Sequence, residues 1–194
     1  MKIVGVDGGL AHMGIVALSY RPREVDKDVG EEGFEYLGGE VVETKPTPKK
    51  HGVRKSDDNM RRAQEVARNL LECVRIHRPH LVVYEAQSFG MKGVIAARQA
   101  GTAFGVIAAI CTGESLPMLC VTPGDIKKAV CPALTKGATK DDVIQAVEAF
   151  GWDIEWPRKK DNWEHLADAI GAVLACRRDD IVRAILRAEV APPT

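Results

Sequence analysis

The stretch Lys2-Ile3-Val4-Gly5-Val6-Asp7-Gly8-Gly9, followed after a short turn by Met13-Gly14-Ile15-Val16-Ala17-Leu18, sets the reading of the whole chain. An apolar run that ends in an aspartate and two glycines, then a second apolar run, predicts a β-hairpin with a carboxylate at the end of its first strand. Two later segments repeat the device. The run Leu81-Val82-Val83-Tyr84 ends in Glu85, and a helical stretch near the C-terminus carries His165 and Asp168 three residues apart, hence on one face. Segments far apart in sequence thus each deliver a metal-capable group to the end of an element.

The elements between them fit one α/β domain over residues 1–194, long enough for a core that needs no disulfide or structural metal. The hairpin continues into a third strand over 34–44, with a bulge or kink expected at Gly38-Gly39. Segment 46–58, with Lys49, Lys50, His51, Arg54 and Lys55, is too polar to pack and reads as a basic loop, either a solvated connector or a DNA contact. From Asp58, Met60, Ala63, Val66, Leu70 and Val74 recur at helical spacing opposite Arg61, Arg62 and Arg68, and this helix stops before Pro79. Leu81 to Tyr84 has the continuous apolar character of a strand buried on both faces. The order strand, helix, strand lays it parallel to the first strand, with Asp7 and Glu85 side by side at the carboxyl ends, where open α/β sheets bind ligands.

Residues 94–111 form a helix rich in alanine and glycine, suited to close approach of another helix from the same chain or a second subunit. Its most apolar part, 103–111, is too short to span a bilayer. A short strand at 118–121, a helix opened by Pro123 and a helix ending at Gly151 follow. Asp161 and Glu164 have capping-box spacing, so the last helix begins there, and 177–194 trends basic before fraying at Pro192-Pro193.

Charge excludes a general polycation, since 27 basic residues balance 27 acidic ones, and nucleic-acid binding would need a local basic face. The five cysteines, odd in number and set among apolar neighbours, read as buried thiols of a reducing, cytoplasmic compartment rather than a zinc site. Nothing at the N-terminus resembles a signal segment.

Asp7, Glu85, His165 and Asp168 supply hard oxygen ligands and one imidazole. Mg²⁺ takes octahedral oxygen ligands, an imidazole extends the choice to Mn²⁺, and two ions about 3.5–4 Å apart can activate water against a phosphodiester. Each residue has a plainer reading when taken alone. Asp7 before two glycines would shape a turn, His165 would decorate a helix face, and capping accounts for Asp161 and Glu164. Glu85 and Asp168, each in apolar company, have no such structural purpose.

The ordered set Ile3-Val4-Gly5-Val6-Asp7-Gly8-Gly9, Val82-Val83-Tyr84-Glu85 and His165-Leu166-Ala167-Asp168-Ala169 resembles the RuvC-type Holliday junction resolvases of the RNase H-like superfamily. The resemblance extends through 34–85, the small-residue helix and Val121-Thr122-Pro123-Gly124-Asp125-Ile126-Lys127-Lys128. It implies a mixed five-stranded sheet, antiparallel in its first three strands and parallel beyond, flanked by helices. It further implies that Asp7, Glu85, His165 and Asp168 are the catalytic, metal-binding tetrad, with two Mg²⁺ per site replaceable by Mn²⁺. Many members carry aspartate where this chain has His165. The implied activity is a metal-dependent endonuclease that resolves four-way DNA junctions by paired symmetric nicks, as a homodimer and with a branch-migration helicase as a possible partner. Phe89 falls near the family's base-stacking aromatic, with Lys92 in the same loop, and Lys127, Lys128, Lys136 and Lys140 fall where the family holds the scissile phosphate. Alternatives are an RNase H-like nuclease for other branched or hybrid nucleic acids, a junction binder without cleavage, and an ATP-binding protein of the actin and sugar-kinase type, whose phosphate loop also begins with strand, Asp-Gly and hairpin.

Overall fold

Alternation of side chains along five strands builds the molecule around one sheet. The structure, a computed structural model, describes residues 1–21, 33–86, 93–134, 137–177 and 179–190. Strands β1 (Lys2–Gly8), β2 (His12–Tyr20), β3 (Phe34–Glu43), β4 (Leu81–Glu85) and β5 (Met118–Val121) lie in the order β3-β2-β1-β4-β5. The pairs β1–β2 and β2–β3 are antiparallel, while β1–β4 and β4–β5 are parallel, as the hairpin and the crossover predict. The expected bulge is present. Ala17 faces Gly38 and Leu18 faces Tyr36, so Leu37 is the extra residue, and Gly38 takes the φ of 150° that this kink requires.

The period of two sends alternate residues of the central strands to opposite layers. Val4, Val6, Ile15, Val82 and Tyr84 bury against α1 (Lys55–His77) and α2 (Val94–Gly113). Ile3, Val16, Leu18, Leu81 and Val83 bury against the layer of α3 (Pro123–Val130), α4 (Lys140–Glu148) and α5 (Trp163–Cys176). Asp7, His12, Gly14 and Glu85 share the parity of this second set. They therefore stand on the α5 face.

Helix α5 comes down onto the hairpin at two glycines. A Cβ on Gly5 would fall well inside van der Waals contact of the Ala169 carbonyl oxygen, and one on Gly14 inside that of the His165 carbonyl oxygen. Gly14 is also the ladder partner of Asp7. The close approach thus occurs beside the carboxylate that ends β1.

Several expectations are corrected. Helix α1 begins at Lys55, not Asp58, because Asp57 and Asp58 complement its N-terminal dipole and Asp58 ties back the preceding loop through the Thr47 hydroxyl at 2.6 Å. Arg62, assigned to the polar face, is 3% exposed and donates from Nε to the Thr44 hydroxyl at 2.8 Å. Met60, assigned to the core, is 63% exposed and lines a groove between α1 and α2 with Val94 and Ile95. No capping box opens α5: a 3-10 turn (Lys160–Asn162) leads in, and the N-cap Asn162 makes no side-chain cap bond. The C-terminal stretch forms a further helix, α6 (Asp180–Val190), anchored by buried Val182. Cys111, Cys131 and Cys176 are buried, but Cys73 is half-buried and Cys120 exposed, because β5 is an edge strand. The apolar stretch read as too short for a bilayer is part of the 20-residue α2, long and apolar enough by composition alone; its Ala100, Ala103, Ile107 and Cys111 are buried within the fold.

Gly14→Ala is expected to destabilise the protein by about 3 kcal/mol, because the added methyl would push α5 off the hairpin and loosen the packing of Leu166, Ala169 and Val173 in that layer. Urea denaturation measures this, and a loss below about 0.5 kcal/mol would show that α5 adjusts freely.

Candidate metal centre

Parallel pairing of Val6 with Tyr84 makes Asp7 and Glu85 the next residues on adjacent strands, each at its strand's carboxyl end. One turn of α5 brings His165 and Asp168 over the same point. One carboxylate oxygen from each of Asp7, Glu85 and Asp168 lies within 4.8 Å of the others. At an effective dielectric near 20, two full charges at that separation repel by about 3–4 kcal/mol. The triad therefore stores repulsion that a cation would relieve.

The titration behaviour follows. Burial, then the charges of Asp7 and Asp168, push Glu85 up to about 9. Burial, then the charges of Asp7 and Glu164, push Asp168 up to about 7. His165 places Nδ1 2.6 Å from Asp7 Oδ2 and Nε2 3.8 Å from Glu164 Oε1. Burial works against its charge, but the hydrogen bond to Asp7 and the surrounding carboxylates outweigh it and raise its pKa. A donor set of three carboxylates with an imidazole beside it fits a hard divalent ion, with room left for water and a phosphate oxygen. His165 here meets the triad through Asp7 and lies outside the group of three.

The triad opens into a cavity of about 500 Å³, lined also by His12, Gln99, Lys127, Lys140 and Glu164. Of the lysines singled out by resemblance, Lys127 and Lys140 face this space, whereas Lys128 lies 3.9 Å from Asp125 and lines a separate cavity. Phe89, Lys92 and Lys136 lie outside the described residues. Two lining residues escape the sequence reading, and a third is weighed there and set aside. Glu164 was assigned to capping; it instead accepts a 2.5 Å ion pair from Lys140, and its place one turn before Asp168 was the available signal. His12 sits two residues before Gly14 and so shares its sheet face, which the strand period alone would have shown. Gln99 had no signal, since it needs α2 to be placed.

No family model matches the chain. The crossover junction endodeoxyribonuclease RuvC of Synechococcus sp. (strain CC9311) is 30% identical over 175 residues, which cover 90% of this chain and 96% of that protein. The Thermus thermophilus RuvC structure superposes with a TM-score of 0.66 at 26% identity, covering 100% of both chains. T. thermophilus RuvC in complex with Holliday junction substrate gives a TM-score of 0.66 at 24% identity over 100% of both chains, a likeness of fold.

Because Glu85 holds its proton in the fold up to about 9 and an unfolded carboxyl loses it near 4.5, unfolding between those values releases a proton. Metal-free stability should therefore fall as pH rises through this window. Glu85→Gln should raise the metal-free melting temperature at pH 8 by about 2–4 °C or more, the equivalent of about 1 kcal/mol, and blunt the stabilisation that Mg²⁺ gives the wild type. Calorimetry at pH 6 and 8, with and without Mg²⁺, decides it; a wild-type stability that rises across this range would refute the stored repulsion.

Proposed function

Since this chain belongs to the RuvC family of crossover junction endodeoxyribonucleases, we propose that Asp7, Glu85, His165 and Asp168 are the metal-holding catalytic residues of a single RNase H-like nuclease domain spanning the chain. The protein is a Holliday-junction-resolving nuclease. The observation that carries the site assignment is the convergence of the Asp7, Glu85 and Asp168 oxygens within 4.8 Å at the carboxyl ends of adjacent parallel strands.

Two Mg²⁺ ions held by this set, with Mn²⁺ as substitute, would supply an activated water and neutralise the leaving oxygen of a phosphodiester. The protein's own contribution is placement. Asp7 is fixed by the sheet and by His165 Nδ1 at 2.6 Å. Asp168 is fixed by a helix whose backbone rests on Gly5 and Gly14. Lys127 and Lys140 bring positive charge to the cavity wall, where a phosphate would enter. Lys140 is held there by Glu164. Phosphate contacts of this kind supply affinity, and branch geometry supplies selectivity.

A four-way junction has two-fold symmetry, so paired symmetric nicks call for two equivalent sites and a homodimer. The surface of α2 supports this reading, for Val94, Ile95 and Phe104 are exposed there and a Cβ at Gly101 or Gly105 would meet nothing within 4 Å. Five free thiols support a reducing, cytoplasmic setting, and a branch-migration helicase as partner rests on the family likeness alone.

Asp7→Asn and Glu85→Gln should each abolish cleavage of a labelled four-way junction in Mg²⁺ while binding stays within about threefold in a gel-shift assay. Loss of binding along with cleavage, in a folded variant, would refute a purely catalytic role. Preference for three-way, flap or RNA–DNA hybrid substrates in the same assay would replace the junction as the substrate. In sedimentation the wild type should run as a dimer and Ile95→Glu as a monomer; a monomeric wild type overturns the dimer.

A further inference from the structure

His165 is the one ring among the four proposed ligands Asp7, Glu85, His165 and Asp168, so its contacts depend on the plane in which the ring stands. Its imidazole projects from the first turns of α5 towards the cavity and has a carboxylate near each nitrogen, Asp7 at Nδ1 and Glu164 at Nε2. Rotation of the ring would exchange or break these contacts without any backbone movement. Something must fix the plane of the ring.

His12 lies against it. The two ring centroids are 5.1 Å apart and the planes differ by 10°. His12 does not belong to the helix but to the first position of β2, where it pairs with Glu43 across the ladder to β3. Glu43 is itself gripped by Lys159, whose Nζ donates to Oε1 at 2.8 Å, so the connector ahead of α5 is strapped to the same point of the sheet. Two residues further along β2, Gly14 bears the His165 carbonyl. The strand thus meets His165 twice, at its backbone through Gly14 and at its ring through His12.

We propose that His12 is a positioning residue of the nuclease site, a flat ring carried by the rigid sheet that sets the plane of the His165 imidazole and so keeps Nδ1 directed at Asp7. This rests on the reading of Asp7 and His165 as parts of the metal centre. The stack, and not the nitrogens of His12, performs the task. Residues that orient a ligand set in this way typically account for about 10–100-fold in metal affinity or activity when removed.

The test compares His12→Ala, His12→Phe and His12→Gln, the second keeping a planar ring without nitrogens and the third a polar group without a ring. Mn²⁺ alone is titrated into each protein by calorimetry, and junction cleavage is resolved into kcat and KM. Ala and Gln should weaken Mn²⁺ binding and lower kcat by about 10-fold with KM for the junction unchanged, while Phe stays within about threefold of wild type. A third readout needs neither metal nor DNA: the low-field Nδ1 proton of His165 in NMR spectra, identified by its loss in His165→Asn, should persist in the Phe variant and vanish in the Ala variant. If Ala fails to fold, Gln against Phe carries the comparison. Wild-type behaviour of Ala or Gln, or a Phe variant as impaired as either, would overturn the proposal. A wild type that neither binds Mn²⁺ nor cleaves would instead overturn the metal-nuclease reading, and the His165 proton would still decide whether His12 orients that ring.

Discussion

The structure depends on one contact without side chains: the backbone of α5 resting on the β1–β2 hairpin at Gly5 and Gly14. A helix normally packs on a sheet at a distance set by interposed side chains, roughly 10 Å between axes and mean plane. Here two missing Cβ atoms let the helix settle closer along one line. That line ends at Asp7, the ladder partner of Gly14. A methyl group at either position would push α5, and with it His165 and Asp168, away from the strand ends.

What the approach creates is an electrostatic conflict confined to one corner. Burial and like charge together hold Glu85 and Asp168 well above the ordinary carboxyl range. The fold tolerates this because β1 and β4 are fixed by apolar burial on both faces, with Ile3, Val4, Val6, Val82 and Val83 fully buried. Rigidity provided by the core keeps acids together that would otherwise part, a conflict that a bound cation would relieve. Lys140, paired with Glu164, and Lys127 line the same cavity, and the Lys140 charge offsets only part of the upward push on Glu85 and Asp168.

Much of this was legible in the sequence because it is encoded locally. Strand ends marked by Asp7 and Glu85, the hairpin glycines, the bulge at Gly38 and the pairing of His165 with Asp168 each follow from a few adjacent residues. What escaped depends on tertiary placement. Arg62 looks like one more polar residue of α1, and only the end of β3 at Thr44 reveals why it is buried. Glu164 competes for the site in the sequence but fits a capping pattern there, whereas the turn before α5 takes a different geometry and leaves it to Lys140. Edge position, which leaves Cys120 in solvent, is a property of the completed sheet and no property of the short run around that cysteine.

The paired glycines also bear on how the hairpin finds its alignment. Sliding β2 by one residue along β1 would turn Met13 or Ile15 towards α5 in place of Gly14, driving a large side chain into a space with no room for a methyl group. Such a slipped pairing has no room for α5 in its observed place, and the acids do not come together on it. An absence of atoms at two positions thereby serves as a proofreading device for the ladder, admitting the single alignment in which the site exists.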